Sequence, residues 1–449
     1  MNFLKKQFSR IKTLKQYPSA IVGFIIIFIL LLISVLTVIF IPYEEAVVLW
    51  RGGRIWDETP RNARPVWVDW FTGDDLPRTE VLDSREIGGM EIVEEMNGAR
   101  KFEIELPFEY AYDGFPKEIN LFMESEYESN SPFATVTWIT PDGREYESRQ
   151  FQVGENRNFR FGRDDNIRSA FPGRTDMERA LLSDPDSEEP VPLKGEYRIR
   201  VDGYIFEEDS TLEVRNVLYG QIHGLAGTDH RRRELLVSLL WGTPVALLFG
   251  VLAAIGTTVT TLIVAAIGVW YGGWVDSLIQ RITEVNLILP VLPILIMVGL
   301  FFSRSLWVML LVIILLGIFS AHVKNYRAMF LQIKGSGFIE AARAYGASNR
   351  RIIFFYLIPK IIPTLIPAFI TAIPTYIFME ATLALLGLGD PVLPTWGKVL
   401  NDAYNGGALY MGHYYWVIQP AVLLMLTGLG FAMTGFALDR IFNPRLRRL

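Results

Sequence analysis

An all-α membrane domain of six spans, interrupted by a mostly β domain, is the fold that this 449-residue sequence predicts. Three observations predict it. Several apolar runs reach about 20 residues, the length that crosses a roughly 30 Å hydrocarbon core. Between the first and second runs the chain instead alternates apolar and polar residues, the pattern of half-buried strands. The net charge of -5 also conceals two opposite halves: residues 43–230 carry 40 Asp and Glu against 21 Lys and Arg, while the remainder carries 8 against 22. An acidic soluble domain set into a basic membrane unit accounts for that split. The absence of cysteine excludes disulfides, thiolate metal sites and cysteine nucleophiles.

The expected spans are about 20–41, 236–269, 282–302, 306–323, 361–384 and 417–438. The first run, Ala20 to Ile41, exceeds the apolar core of a typical secretion signal, and Pro42, Tyr43 and Glu44 follow it in place of small residues. It therefore reads as an uncleaved span. The second run covers about 34 residues, roughly 51 Å as a helix and more than one span needs. The Gly242-Thr243-Pro244 sequence predicts a break there, with the span proper at about 243–269. Orientation follows from Lys and Arg in short loops. Lys5, Lys6, Arg10, Lys12 and Lys15 precede the first span. Lys324, Arg327, Lys334, Arg343, Arg350, Arg351 and Lys360 follow the fourth, and Arg440, Arg445, Arg447 and Arg448 close the chain. Six spans put all three groups, and both termini, on the cytoplasmic side.

Three regions result. Residues 1–42 are a cytoplasmic tail and the first span, 43–232 an extracytoplasmic insert with a β-rich core at about 86–220, and 233–449 a five-span core with a cytoplasmic loop at 329–359. Within the insert, KFEIELPFEYAY puts Phe102, Ile104, Leu106, Phe108, Tyr110 and Tyr112 on one face and Glu103, Glu105 and Glu109 on the other. Two more alternating runs flank the turn signal Pro141-Asp142-Gly143. EYRIRV repeats the alternation with Tyr197, Ile199 and Val201. TDMERALLSD reads as one short helix, and residues 43–85 as an irregular lead-in. The expected core holds Phe102, Ile104, Leu106, Val136, Trp138, Ile199 and Val201, in a compact β-sandwich.

The stretch GFIEAARAYGASNRRIIFFYLIP, Gly337 to Pro359, stands between apolar runs yet is too polar to cross lipid. Phe338, Ile339, Ala342 and Tyr345 are spaced for one helical face. Gly346 is suited to a left-handed helix end. A second short helix is expected from Ile352 and Phe355 toward Pro359. Two short helices joined at a glycine make a knob fit for a groove on a cytoplasmic partner; an ordinary solvated loop fits the pattern about as well.

Glu340-Ala341-Ala342, three residues and then Gly346, followed by Pro359, resembles the EAA loop of ABC importer permeases. The two aliphatic positions before the proline depart mildly, as Tyr356 and Ile358. Further segments resemble the dipeptide/oligopeptide/nickel branch in order: GLAGTDHRRRELLVSLLWGTP, YGGWVDSLIQRITEVNLILP, MEATLALLGLGDPVLPTWGKVLNDA and FALDRIFNPRLRRL. They cover about 222–449, and the match is to the second-permease type. The resemblance implies a type I ABC importer fold. It also implies a loop, Glu340, Ala341, Ala342, Gly346 and Pro359, that docks an ATPase subunit. The implied partners are a second homologous permease subunit, two ATP-binding subunits and an extracytoplasmic solute-binding protein. It says nothing of residues 43–220, because typical members carry only a short segment there. For that insert the expectation is a docking surface for the solute-binding protein or the neighbouring permease, with a spacer as the alternative.

No Gly-x-x-x-x-Gly-Lys-Ser/Thr loop occurs. The expectation is no enzyme and no cofactor in this chain, with ATP and Mg held by partner ATPases, and with membrane lipid but no nucleic acid as partner. Glu380 is the carboxylate within the fifth expected span, and such a group is a functional suspect. Two roles fit it: lining the substrate path, or holding the outer corner before Leu385-Leu386-Gly387-Leu388-Gly389. Glu284 and Asn286 suit helix packing better than a pore face. His223, His230, His322 and His413 are scattered, and Arg231-Arg232-Arg233 reads as surface or as contact with a binding protein or lipid phosphate. The rival classes are a secondary transporter or channel with an extracellular sensor domain, and a membrane-anchored β adhesin, for which six spans are needless. Mid-membrane ionisable residues and inverted repeats, the marks of secondary transporters, are not apparent.

Overall fold

The computed structural model describes residues 18–73, 75–96, 98–185, 187 and 190–442. The basic residues expected to set the orientation of the N-terminus, and Arg445, Arg447 and Arg448, lie outside them. Two compact units divide the chain: Gly52 to Leu236, and the segments before and after it.

The membrane unit is helical: α1 (Pro18–Phe40), α2 (Tyr43–Arg51), α3 (Leu235–Tyr271), α4 (Gly273–Ile288), α5 (Val291–Phe301), α6 (Leu306–Gly317), α7 (His322–Lys334), α8 (Gly337–Ala344), α9 (Asn349–Leu388), α10 (Trp396–Asn405) and α11 (Tyr414–Phe442). Among the described residues, α1, α3, α9 and α11 are each long and apolar enough to cross a membrane, and the count rises to six if each of two bent pairs is one span. Helices α1 and α11 pack through small residues, as membrane helices do where backbones must approach. A Cβ on Gly23 would lie 2.8 Å from the Gly430 carbonyl oxygen.

Three expectations about the spans need correction. The run expected at 282–302 is not straight: α4 and α5 meet at 77°. Leu289, before Pro290, is extended because the proline ring disfavours helix at the preceding residue. The break expected at Gly242-Thr243-Pro244 is absent, and α3 runs on through Pro244. The Leu239 carbonyl, one residue before the carbonyl that Pro244 leaves without its helical donor, accepts from the Thr243 hydroxyl at 3.2 Å and the Trp396 indole at 2.9 Å, so side chains tie the helix down around the proline. The short helix expected to end at Pro359 instead continues as α9. A π-helical turn, Ile352–Leu357, ends two residues before that proline, whose missing N–H and ring favour a wider turn in the residues ahead of it.

The other unit contains two antiparallel sheets. Their strands are β1 (Glu80–Asp83), β2 (Glu91–Met96), β3 (Ala99–Tyr110), β4 (Glu118–Glu126), β5 (Phe133–Ile139), β6 (Glu145–Glu147), β7 (Phe151–Gln152), β8 (Asn156–Arg160), β9 (Gly195–Ile205) and β10 (Thr211–Tyr219). One sheet has the order β1-β10-β4-β8, the other β2-β3-β9-β5-β6, with β7 also on β5. The first strand starts at Glu80, six residues before the expected edge of the core. Alternation in β3 buries Phe102, Ile104, Leu106, Phe108 and Tyr110 against Ile119, Leu121 and Met123 of β4, giving the two sheets one core. All seven expected core residues are buried to 1% exposure or less. Trp138 lies at the centre, with ring centroids 5.6 Å from Phe108 and 5.2 Å from Phe161. The turn at Pro141-Asp142-Gly143 closes through Thr140, whose N–H and carbonyl bond Arg144 and Gly143. The short helix falls at Met177–Leu182.

Candidate functional site

The Gly337–Pro359 stretch folds as two helical pieces joined at a glycine. Helix α8 ends in paired backbone bonds: Ala347 N to Ala342 O at 3.0 Å, and Gly346 N to Arg343 O at 2.9 Å. That pairing needs the left-handed conformation at the residue after the cap, and Gly346 has φ +76°. Ser348 then caps the start of α9, its hydroxyl accepting from Arg351 N.

Glu340, Ala341, Ala342, Gly346 and Pro359 lie on or beside this joint. The four apolar positions of α8, expected on one face, divide into two stripes. Ile339 and Ala342 point inward, whereas Phe338 and Tyr345 are exposed, Tyr345 to 93%. Glu340, Ala341 and Pro359 are exposed as well. Ile339 of the inward stripe enters a buried cluster with Leu262, Ala266 and Trp270 of α3, Phe330 of α7, and Ile353 and Leu357 of α9. One short helix thus touches three long elements on its inner side and leaves a bare outer side.

Charged groups tighten the same region. The Arg343 guanidinium stacks 4.3 Å above the Trp270 ring. Lys334 Nζ donates to the carbonyls of Val269 and Trp270, the free acceptors at the end of α3, at 2.6 and 3.1 Å. Arg327 and Asp276 form a two-toothed pair, with Nη2 to Oδ2 at 2.6 Å, that ties α7 to α4. The sequence reading missed Trp270. A tryptophan and a basic residue at opposite ends of a chain segment carry no spacing signal.

At the other end of α9, Glu380 is 4% exposed. Its Oε1 has no hydrogen-bond partner among the described residues, and its carboxyl also hydrogen-bonds the Thr395 side chain. Thr395 caps α10 by accepting from Lys398 N. Asn401 of α10 donates to Leu385 O at 2.8 Å, where the chain turns through Gly387 at φ +83°. These bonds brace the corner. An open cleft of about 490 Å³ in the membrane unit is lined by Asn286, Ser320, His322, Thr371, Tyr376 and Met379 among others; Glu380, next to Met379, is not part of its lining. Asn286 Nδ2 also donates to the carbonyls of Leu316 and Phe319, so it joins α4 to the end of α6. Glu284 approaches Lys324 at 3.6 Å.

The surface reading of Arg231-Arg232-Arg233 fails at two of the three positions. Arg231 is exposed, but Arg232 and Arg233 are 8% and 3% exposed. Arg233 pairs with Asp229 at 2.6 Å, both side chains buried. Arg232 donates to Thr59 O at 2.8 Å and Glu118 Oε2 at 2.5 Å, and stacks on Tyr219. The partners were unreadable because Glu118 is 114 residues away. His223 pairs with Glu234 at 2.8 Å. No group of metal-ligating side chains occurs among the described residues.

A multi-pass helical membrane unit with a short, partly exposed knob packed against its long helices is the class that this geometry defines. Residues 258–448 match the family described as the binding-protein-dependent transport system inner membrane component. Among similar proteins are the dipeptide transport system permease protein DppC of Bacillus subtilis (strain 168) and the glutathione transport system permease protein GsiD of Escherichia coli O6:K15:H31. The first is 29% identical over 49% of this chain and 69% of its own, the second 32% identical over 49% of this chain and 72% of its own. Another dipeptide permease, from Alkalihalophilus pseudofirmus, is 30% identical with 72% of its length covered. The chain belongs to this family, and it is a transmembrane subunit of an ABC importer. The family match begins at residue 258, after the whole β-rich unit.

Proposed function

We propose that this chain forms half of the translocation pore of an importer for peptides or a related small solute, and that α8 is its joint to a cytoplasmic ATPase. It pairs with a second homologous permease subunit, two ATP-binding subunits that hold ATP and Mg, and an extracytoplasmic solute-binding protein. Six spans place both termini in the cytoplasm and residues 43–232 outside. The peptide class is carried by the named relatives, which are dipeptide, oligopeptide and glutathione permeases. The single observation behind the joint is the two-sided α8. Phe338, Ala341 and Tyr345 face out beside Glu340, while Ile339 shares a buried cluster with α3, α7 and α9 and Ala342 is buried too. A force applied to the outer stripe therefore reaches three long helices directly. Glu380 braces the outer corner in this reading, and the cleft beside Thr371, Thr375 and Tyr376 is the better candidate for the solute path.

Cross-linking tests the joint. The chain has no cysteine, so Ala341→Cys is a unique handle. Expected is a cross-link to the ATPase subunit in the assembled complex, at a yield that changes on ATP binding. Uptake by this chain alone, with no ATPase present, would instead establish the secondary-transporter reading. Orientation is tested with Ser129→Cys and Asn349→Cys, both exposed. An impermeant reagent applied outside should label the first, and label the second only after permeabilisation. Ser148, an otherwise natural choice, is 2% exposed and its hydroxyl accepts from Val136 N. Cutting the insert to a short linker should weaken binding of the solute-binding protein to an assembled complex; unchanged affinity and transport leave only a spacer role.

A further inference from the structure

We propose that Trp67, Trp70, Phe71 and Leu225 form a lipid-interface anchor that fixes the insert to the headgroup layer beside its own tethers. The insert buries rings such as Phe102, Trp138 and Phe161 to 1% exposure or less and leaves Phe133 and Phe206 under 40% exposed, yet Trp70 is 82%, Phe71 79% and Leu225 66% exposed. These residues form one patch. The Trp67 and Phe71 rings meet edge to face at 6.3 Å, and Trp67 Nε1 donates to Leu225 O at 2.9 Å. Tryptophan suits the headgroup layer because one ring edge is polar and the rest is apolar, and the wholly apolar Phe71 and Leu225 beside it add surface that lipid can cover.

The mounting of the patch supports a membrane rather than a protein as occupant. Residues 60–66 are zipped to 221–229: Val66 N donates to Gly224 O, Arg64 N to Gln221 O, and His223 N to Arg64 O, all between 2.8 and 3.0 Å. The same ladder includes Leu235 N to Gly227 O at 3.0 Å, and Leu235 is the first residue of α3. A 37-residue helix is roughly 55 Å long, against about 40–45 Å for a bilayer with its headgroups. Leu235 therefore comes at or just beyond the headgroup layer, and Leu225 is fastened two residues from the carbonyl that Leu235 bonds. Charge points the same way. Residues 51–78 hold five Arg and five Asp and Glu, whereas 79–230 hold 16 basic and 33 acidic side chains. An anionic lipid surface repels the sandwich but not this aromatic lead-in, whose Arg54, Arg61 and Arg64 are exposed.

The test uses the full chain in proteoliposomes, with single cysteines at Trp70→Cys, Phe71→Cys and Leu225→Cys and a control at Ser129→Cys, each carrying a polarity-sensitive fluorophore. Expected is blue-shifted emission, lost to spin-labelled lipid, at all three patch positions, with aqueous emission and no lipid quenching at 129. The Leu225→Cys label leaves Trp70 and Phe71 of the Asp69–Thr72 helical turn in place, so its signal stands even if the ring replacements loosen that turn. Aqueous emission at position 225 overturns the proposal. A blue shift that lipid does not quench, or that arises only when the solute-binding protein or second permease is added, overturns it too and assigns the patch to a protein partner.

Discussion

Two basic stretches of this chain look alike in sequence and behave in opposite ways. Arg231-Arg232-Arg233 turns two of its three guanidiniums inward, onto Asp229, Glu118 and the Tyr219 ring. The Gly337–Arg351 stretch keeps Glu340, Arg343, Arg350 and Arg351 at the surface and turns only Ile339 and Ala342 inward. The first stretch uses its charge to hold the chain together; the second leaves Glu340, Arg350 and Arg351 in solvent and turns only Arg343 onto a ring of its own unit, Trp270. The difference lies in the distant partner: buried charge persists only where an opposite charge and further hydrogen bonds surround it. A run of arginines is therefore no measure of a docking surface until the burial of each is known.

The sharpest way to break this comparison is at Arg233. Replacing it with Ala strands the buried Asp229 carboxylate, which also accepts from the N–H groups of Arg231 and Arg233. Losing one member of a buried pair costs about 3–5 kcal/mol. Arg233→Ala should lower the melting temperature of the insert in the purified full chain by many degrees. Arg231→Ala, exposed, should stay within about 0.5 kcal/mol of the parent. Equal effects of the two variants would erase the distinction between inward and outward arginines.

At Gly346 the expected energetic effect is smaller and the functional one is complete. A β-branched residue at φ +76° is strained by about 1–3 kcal/mol. Nothing lies within 4 Å of an added Cβ, so the strain is conformational and not steric crowding by neighbours. Gly346→Val should fold and insert, yet lose ATP-driven uptake and stimulation of the ATPase by the binding protein. Gly346→Asn, which tolerates the left-handed region, should keep most of both. Normal transport by the Val variant would detach α8 from coupling.

The parts of the molecule legible in the sequence are those set by near neighbours. Period-two alternation placed β3, β5 and β9 and the buried core of the insert, because each strand's pattern is local. Gly346 was legible because a helix end that needs positive φ is nearly always met by glycine. The bend at Pro290 and the straight passage through Pro244 were not. Both are prolines in apolar runs, and what differs around them is tertiary: beside Pro244 the indole of Trp396, far along the chain, bonds the helix backbone at Leu239. Nor was the two-sided nature of α8 legible, since its inner and outer stripes are both apolar and only the contacts of Ile339 tell them apart.

The inward habit of the insert has one flaw that sharpens the contrast. Asn216 of β10 follows Leu212 and Val214 on the strand's core side, is fully buried, and has neither amide atom hydrogen-bonded within the described residues. An unpaired buried amide costs roughly 1–3 kcal/mol. Asn216→Leu should therefore stabilise the insert, by on the order of 1 kcal/mol once the misfit of a branched side chain is subtracted. Thermal melting of the full chain reads this directly. A lower melting temperature would mean that a bound water satisfies the amide, and that the insert's polar groups are more completely paired than the contrast requires.

The gentlest test concerns Lys117, another inward-turned cation of the insert. Its Nζ donates to Asn62 O at 2.5 Å and Arg61 O at 3.3 Å. Burial is the main cause that lowers its pKa from 10.5 to about 8, Arg64 lowers it further, and Glu118 opposes both. In the unfolded chain the amine returns to its ordinary value, so between about pH 8 and 10.5 the unfolded state binds more protons than the folded one. Stability then rises with pH across that window, because the folded state no longer has to hold a protonated amine that the unfolded state holds more easily. Below pH 8 the penalty is present in full and the contribution is flat. Lys117→Met removes the titration, so the melting temperature of the variant should climb less between pH 8 and 10 than that of the parent, with the two curves converging at the alkaline end apart from the lost carbonyl bonds. Parallel curves would show that Lys117 keeps its proton in the folded insert, held by Glu118 more strongly than burial opposes it, and would place it with the paired arginines rather than among the strained cations.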